Sequence, residues 1–264
     1  MSALRLCVWF MLLVQGPLHA GGANAPALRV VFFTDVHTRT EWDTPLALQM
    51  AANAMNAEQP GLIIGGGDYI TDGFESAAAA VEPRWDAYLA FHRSLQAPVQ
   101  SAIGNHDLVA VLPPDGSAPA ADPRAVFYAK LARKAAFGSF NSNGWHFILL
   151  DPIVVNGEAT KYRGEISPAL LDWLKQDLSG VDTSTPIVVV THMPLRTHYF
   201  RETEARGEPP PSNRAIVNSR EVLDLFRGHS LALVLQGHLH VAEDFEQDGV
   251  RYITGGAICG QWWR

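Results

Sequence analysis

The chain has 264 residues, of which 47% are hydrophobic and 18% charged, with 20 basic and 27 acidic side chains. This composition is typical of a globular protein and excludes collagen-like, coiled-coil and wholly disordered chains. The formal net charge of -7 also excludes the basic surface of a nucleic-acid-binding protein. Because chains of this length usually bury a single core, we expect one domain.

The first 25 residues are typical of a secretory signal peptide. Arg5 precedes an uncharged apolar run at residues 6–14, and the small residues Ala20 and Ala25 follow as candidate cleavage sites. This run is far shorter than the roughly 20 residues that span a bilayer, so cleavage is favoured over a membrane anchor. We therefore expect a mature domain at residues 26–264 that is periplasmic or secreted and has no transmembrane helix.

Six short apolar runs predict the strands of a sheet. They are rich in Val, Ile or Leu and too short for buried helices, which is typical of strands buried on both faces. The runs lie at residues 28–33, 62–64, 99–103, 146–150, 187–190 and 231–235.

Four amphipathic stretches between these runs predict helices. One follows a cap at Thr44 and has Pro45 at its first position, a second contains Trp85, a third follows a cap at Ser167, and a fourth follows a cap at Ser219. Strands that alternate with helices predict an α/β fold. Two proline-rich stretches, at residues 112–123 and 208–213, are predicted to be loops.

Polar residues stand directly after five of the six predicted strands. Ligands bind at the carboxyl ends of strands in open α/β sheets, so we expect these residues to converge. Carboxylate, amide and imidazole groups together suit Mn, Fe or Zn, and the lack of thiolates argues against a closed structural zinc site. The residues are Asp35, His37, Asp68, Asn105, His106, Asp107, His192, His238 and His240.

The motifs that contain these residues differ in specificity. An Asp-x-His sequence occurs by chance in roughly one of a few proteins of this size, whereas Gly-Asn-His-Asp occurs in about one of a thousand. Gly-His-x-His occurs in about one of a hundred. The three motifs occur here in order, each behind a predicted strand, so chance does not explain them.

The five segments resemble the signature of the calcineurin-like metallophosphoesterases, which is Asp-x-His, Gly-Asp, Gly-Asn-His-Asp, a lone His, and Gly-His-x-His. The resemblance covers residues 30–256 and implies an α/β fold, a four-layer αββα sandwich of two mixed β-sheets flanked by helices. It also implies two divalent metal ions, Mn, Fe or Zn. The first ion position would comprise Asp35, His37, Asp68 and His240. The second would comprise Asp68, Asn105, His192 and His238, with Asp68 bridging the two.

The sequence after Asp68 differs from two branches of this family. Phosphoprotein phosphatases have Gly-Asp-x-x-Asp-Arg and Gly-Asn-His-Glu, whereas here Asp72 stands one position later and Asp107 replaces the glutamate. Purple acid phosphatases have a tyrosine where this chain has Thr71. The resemblance therefore favours the broad branch that acts on small phosphomonoesters and phosphodiesters. Separately, Asp72 follows a predicted strand, and for it we expect a turn role.

Two divalent ions would activate a bridging hydroxide and neutralise charge on the phosphoryl oxygens. After the charges of Asp35, Asp68 and the hydroxide are counted, the centre keeps about one positive charge, which attracts an anionic substrate. The resemblance implies that His106 gives a proton to the leaving group and that Asp107 holds its ring.

Arg196 and His198 lie in a polar loop after His192 and are candidate substrate contacts, with a solvated loop as an equal alternative. The aromatic pair Trp262 and Trp263 leads us to expect a domain that is truncated at its C-terminal end.

The sequence thus predicts an exported, dinuclear metal-dependent phosphoesterase acting on a small phosphorylated substrate. One alternative is a non-catalytic scaffold on the same fold. The other is a different metallohydrolase that uses His238 and His240 as a zinc pair, although such a pair normally follows the first strand.

Overall fold

The computed structural model describes residues 11–13, 28–156 and 160–260. Most of the predicted signal peptide, together with Trp262 and Trp263, lies outside the described residues. Within the described part of the chain, no helix is both long enough and apolar enough to cross a membrane.

The first sheet contains four strands in chain order. The strand at residues 11–13 pairs antiparallel with its neighbour, and the other three strands run parallel to one another. The strands are β1 (Met11–Leu13), β2 (Arg29–Phe33), β3 (Leu62–Gly65) and β4 (Val99–Ser101).

The second sheet has six strands, and a separate hairpin accompanies it. The larger sheet comprises β5 (Gly138–Ser142), β6 (Trp145–Leu149), β9 (Pro186–Val190), β10 (Ser230–Gln236), β11 (Glu243–Gln247) and β12 (Val250–Thr254). The hairpin comprises β7 (Ile153–Val155) and β8 (Tyr162–Gly164). The order in the larger sheet is β11-β12-β10-β9-β6-β5, with antiparallel pairs only at its two edges.

Helices connect the strands. They are α1 (Thr44–Ala57), α2 (Ala78–Ser94), α3 (Ala125–Lys130), α4 (Pro168–Ser179), α5 (Arg201–Glu204) and α6 (Ser219–Asp224). Ser167 caps α4 as predicted, because its hydroxyl accepts a hydrogen bond from the Leu170 N–H. The caps predicted at Thr44 and Ser219 are wrong by one position, since both residues already belong to the first turn of their helices.

Alternate residues of each strand build different parts of the core. Val30 and Ile64 pack with Phe147 and Val188 of the second sheet, so they lie between the two sheets. Their neighbours Val31 and Ile63 instead join the cluster that contains the buried faces of the helices. Burial of each such side chain contributes about 1.5–3 kcal/mol. The structure thus confirms the mixed α/β sandwich with helices flanking two sheets.

All six predicted strands are confirmed, with bounds that shift by at most two residues. The strands that the sequence did not predict are mainly edge strands. In β5 and β11, half-buried residues alternate with exposed ones, so neither strand has a continuous apolar run. Both proline-rich stretches are free of helix and strand, as predicted.

Candidate metal centre

The carboxyl ends of five strands bring the predicted metal ligands into one buried cluster. Backbone hydrogen bonds join the loops: the N–H of Asp35 donates to the Gly67 carbonyl at 3.0 Å, and that of Gly237 donates to the His192 carbonyl at 2.8 Å. The residues in the cluster are Asp35, His37, Asp68, Asn105, His192, His238 and His240, all of them buried except the partly exposed His240.

At the first ion position, two imidazoles and a carboxylate face one another. His37 Nε2 lies 3.0 Å from His240 Nε2. Asp35 Oδ1 lies 3.3 Å from His240 Nε2 and 3.8 Å from His37 Nε2. Two imidazole nitrogens and an anionic oxygen at these separations can close around a single cation.

Asp68 joins the two positions through one oxygen atom. Its Oδ2 lies 3.5 Å from His37 Nε2 and 3.1 Å from His192 Nε2. The other oxygen, Oδ1, accepts a hydrogen bond from the backbone N–H of His106 at 2.8 Å, which orients the carboxylate. This geometry is compatible with the bridging role that the resemblance implies for Asp68.

At the second ion position, His192 and His238 are oriented by carbonyl groups. His192 Nε2 lies 3.2 Å from His238 Nδ1. The opposite ring nitrogens contact the carbonyl oxygens of Gly66, at 2.9 Å, and Asn213, at 2.8 Å. A carbonyl oxygen only accepts hydrogen bonds, so in the neutral ring the nitrogen beside the carbonyl carries the proton. The nitrogen that faces the cluster then keeps its lone pair for a metal.

Unsatisfied oxygen atoms test whether these residues fit a metal. Within the described residues, the buried Oδ1 atoms of Asn105 and Asp35 accept no hydrogen bond. A buried acceptor without a donor costs roughly 1–3 kcal/mol, and a cation satisfies it. A set of carboxylate, amide and imidazole donors suits Mn, Fe or Zn. The residues therefore fit the two-ion centre that the resemblance implies.

Five of the seven predicted ligands have a left-handed backbone. The φ angles are 54° at Asp35, 44° at His37, 56° at Asp68, 72° at His238 and 56° at His240. Non-glycine residues rarely adopt this region, at a cost of order 1–3 kcal/mol each. The loops thus contain strained backbone at the residues whose side chains point into the cluster.

Two motif glycines are required by close approach. A Cβ atom at Gly104 would lie 2.2 Å from Asp68 Oδ1, and one at Gly237 would lie 2.6 Å from Asp35 Oδ2. Any side chain at either position would displace a carboxylate of the cluster. This explains why glycine precedes both the Asn-His-Asp and the His-x-His segments.

The charges of the cluster are strongly coupled. Burial opposes ionisation of Asp68, but the neighbouring histidines, His192 foremost, together outweigh this effect and lower the pKa of the carboxyl group. Burial likewise opposes protonation of His192, but Asp68 and Asp35 raise its pKa to about 9. For His238, burial and the neighbouring His192 lower the pKa to about 3. The carboxylates thus attract positive charge into the cluster, and His238 supplies a neutral imidazole.

His106 lies at the partly exposed side of the cluster, with its ring 4.7 Å from that of His37 in an edge-on arrangement. Its Nδ1 accepts a hydrogen bond from the Asp72 N–H at 3.1 Å and lies 3.4 Å from Asp72 Oδ1. Burial lowers the pKa of His106, but Asp68 and Asp72 outweigh it and raise the pKa above its ordinary value.

The expectation that Asp107 holds the His106 ring is wrong. The Asp107 carboxylate accepts hydrogen bonds from the N–H groups of Asp68 and Gly104, both at 2.9 Å, and of Tyr69 at 2.7 Å. Both oxygens are therefore occupied by the backbone of the loops that present Asp68 and Asn105. Asp107 organises these loops, and Asp72 is the carboxylate beside His106.

Sequence reasoning gave Asp72 only a turn role. The one signal in the sequence was its place four residues after Asp68. In the structure this segment packs against the loop of His37, where the Thr71 hydroxyl donates to the His37 carbonyl at 2.7 Å.

Arg196 and His198 lie beside a separate cavity. This cavity has a volume of about 500 Å³, and none of the seven predicted ligands lines it. Arg196 Nη2 lies 3.3 Å from Asp248 Oδ2, and the His198 ring stacks on Phe245 at 4.0 Å between centroids. The structure thus does not bring these two side chains into the metal-ligand cluster, and their contact with substrate stays a prediction.

Comparisons with known proteins agree with this arrangement. A family model described as calcineurin-like phosphoesterase matches residues 28–242. No curated protein sequence matches the chain.

Several solved structures share the fold. A dimetal phosphatase from Danio rerio has a TM-score of 0.65 at 15% identity, over 88% of each chain. A phosphopantetheinyl hydrolase from Mycobacterium tuberculosis has a TM-score of 0.54 at 15% identity, over 89% of this chain and 92% of that chain. GAP50, the anchor in the inner membrane complex of Plasmodium, has a TM-score of 0.55 at 17% identity, over 88% of this chain and 72% of that chain. At these identities the similarity establishes the fold.

Proposed function

The chain belongs to the calcineurin-like phosphoesterase family, and we propose that it is a dinuclear metal-dependent enzyme that hydrolyses phosphomonoesters or phosphodiesters of small molecules. The observation that carries the proposal is the position of Asp68 Oδ2, which reaches His37 on one side and His192 on the other. A single oxygen between two sets of buried ligands supports a centre for two ions held close together.

Two divalent ions, when bound, lower the pKa of a water molecule and neutralise the charge that gathers on the phosphoryl oxygens. The chain supplies the geometry for this chemistry. Asp35 and Asp68 are the two carboxylates among the proposed ligands, so they offset only part of the charge of two ions. The centre stays positive and attracts an anionic phosphoryl group, although the chain as a whole is acidic.

His106 is placed to donate a proton. Asp68 and Asp72 raise its pKa, which favours protonation of the partly exposed ring, and on protonation Nδ1 would donate to the Asp72 carboxylate 3.4 Å away in place of accepting from the Asp72 N–H. The proton would pass to the oxygen of the departing alcohol, and Asp72 would hold the ring in position. General acid catalysis of this kind contributes roughly 10²- to 10⁴-fold.

A pair of chromogenic substrates tests the proposal. Purified chain, supplied with Mn²⁺ or Zn²⁺, is expected to hydrolyse p-nitrophenyl phosphate or bis(p-nitrophenyl) phosphate and to lose this activity after chelation. Asp68→Asn, which keeps the shape of the side chain but removes its charge, serves as the inactive control. Failure to hydrolyse either ester would favour the scaffold, and cleavage of p-nitrophenyl acetate alone would favour a different metallohydrolase.

We also propose that the enzyme is exported, with the apolar run at residues 6–14 as the supporting feature. Leu12→Arg places a charge inside the run and is expected to leave an uncleaved precursor in the cytoplasm. Ser2→Arg adds the same charge before the run and should leave processing intact. A wild-type protein that stays full-length in the cytoplasm of its host would contradict export.

A further inference from the structure

One sulfur atom lies at the edge of the first ion position. Cys259 is buried, with 3% of its surface exposed, in a turn at residues 258–260 that follows β12. Its Sγ and the Nε2 or Nδ1 atoms of His37 and His240 all lie within 4.8 Å of one another. We propose that Cys259 is a ligand of the first metal ion, an inference that rests on the proposed dinuclear centre.

The backbone of this turn is attached to the strand end that presents Asp35. The Ile258 N–H donates to the Thr34 carbonyl, and the Cys259 N–H donates to the Asp35 carbonyl, both at 3.2 Å. The Gly260 backbone is hydrogen-bonded to His240. The turn is therefore fixed to two ligand-bearing segments, and the sulfur is held beside them.

A second observation at the same point indicates a cation site. Asp35 Oδ2 accepts hydrogen bonds from the Thr34 hydroxyl at 2.7 Å and the His238 N–H at 3.0 Å. Asp35 Oδ1, in contrast, is buried and accepts no well-aligned hydrogen bond from the described residues, and His240 Nε2 lies 3.3 Å from it. The Asp35 oxygen and the Cys259 sulfur thus both lie beside the imidazole pair of His37 and His240.

Bond lengths allow these atoms to share an ion. Zinc binds sulfur at about 2.3 Å and imidazole nitrogen at about 2.1 Å, so in a tetrahedral site two such ligand atoms are about 3.6 Å apart. Cys259 Sγ and the two imidazole nitrogens lie within 4.8 Å of one another. A shift of at most about 1 Å therefore brings the sulfur within bonding distance of a shared ion. On binding, the thiol proton passes to solvent and the thiolate forms the metal bond.

A buried cysteine is more often a small apolar residue than a ligand. The contact of Cys259 Sγ with the Gly260 carbonyl, at 3.7 Å, is compatible with that role. However, this role does not account for two imidazoles that face the sulfur, or for an unsatisfied carboxylate oxygen beside them.

A sulfur ligand would make the two ion positions different in chemistry. Thiolate favours zinc or iron(II), whereas oxygen ligands suit manganese. The second position, formed by Asp68, Asn105, His192 and His238, has only oxygen and nitrogen donors. The first position would therefore select the softer metal.

Cobalt substitution gives a direct readout that does not depend on activity. The full chain is depleted of metal and reloaded with Co²⁺, then cobalt content is measured by mass spectrometry and the absorption spectrum is recorded. Thiolate bound to Co²⁺ gives an intense charge-transfer band in the near ultraviolet, and oxygen and nitrogen ligands do not. We expect this band in the wild type, and its loss in Cys259→Ser with d–d bands retained.

The matched control is Asn105→Ala, which changes only the second ion position and should keep the charge-transfer band. Circular dichroism verifies that each variant is folded, and the wild-type spectrum alone tests the inference if Cys259→Ser does not fold. Cobalt uptake without the band in the wild type would overturn the role of Cys259 and leave the proposed function intact. If the chain takes up no cobalt at all, both the role of Cys259 and the proposed function are overturned. A charge-transfer band that persists in Cys259→Ser would overturn the role of Cys259, because its sulfur ligand would come from the other cysteine, Cys7.

Discussion

The bodies of the strands and their carboxyl ends differ in the chemistry of their buried side chains and in their backbone conformation. Along β3, Leu62, Ile63 and Ile64 are apolar and buried, with regular ladder bonds to both neighbouring strands. Four residues after Ile64, Asp68 is equally buried but is charged and has a left-handed backbone. Apolar packing and ladder hydrogen bonds hold the strand bodies, whereas the buried charges at the strand ends are those expected of a metal site.

This difference separates the residues that hold the fold from those that perform the chemistry. Changes in the strand bodies should alter the free energy of unfolding and leave the metal content unchanged. Changes at the strand ends should alter metal binding or turnover. The following predictions test that separation.

The largest effect is expected for Asp68→Ala. Because one carboxylate oxygen reaches both ion positions, its removal should abolish binding of both ions and all activity. Mass spectrometry of the reloaded protein measures the metal content. Asn105→Ala is the matched control and should lose only the second ion. Retention of one tightly bound ion in Asp68→Ala would contradict the bridging role.

His106→Ala should reduce turnover by roughly 10²- to 10⁴-fold, since it removes the proposed proton donor. Metal content should stay near that of the wild type, because His106 belongs to neither proposed ligand set, although a ring nitrogen of it lies within 4.8 Å of ligand atoms of His37 and Asp68. Steady-state kinetics and metal analysis of the same preparation give the two values. A parallel loss of metal and activity would instead assign His106 to ligation or to the structure.

Asp72→Asn should have a smaller effect, below about tenfold in turnover, because the Asp72 side chain is largely exposed and its backbone contact with His106 remains. Asp72 raises the pKa of His106, so the variant lowers that pKa. A proton donor loses activity as pH rises through its pKa. The alkaline limb of the pH–rate profile should therefore move to lower pH, while Asp172→Asn on α4 should leave it in place. An unchanged limb would show that Asp72 does not act on His106.

Ile63→Val should have the smallest effect on function. Removal of one buried methylene lowers the free energy of unfolding by about 0.5–1.5 kcal/mol. Denaturant unfolding of the metal-free protein measures this change. Metal content and turnover should equal those of the wild type, and a loss of metal would show that strand bodies and strand ends are not separable.

The strand bodies were predictable because their signal is local. A short run of Val, Ile and Leu identifies a buried strand regardless of its neighbours, and the resemblance then placed the ligands. The partner of His106 was not predictable, since Asp107 is the adjacent residue whereas Asp72 lies 34 positions earlier in the chain. Only the path of the backbone decides that Asp107 serves the N–H groups of the loops and Asp72 serves the ring.

Cys259 was missed for a related reason. It lies outside every motif, and its proximity to His37 depends on hydrogen bonds between the turn at residues 258–260 and the end of β2. Edge strands such as β11 were missed because their exposed residues interrupt the apolar pattern.

Isothermal titration of the metal-depleted full chain with Mn²⁺ or Zn²⁺, with metal content measured afterwards, tests the central claim most directly. The account predicts saturation at two ions per chain and recovery of phosphoesterase activity with the second equivalent. A folded chain that binds neither metal would contradict the dinuclear centre.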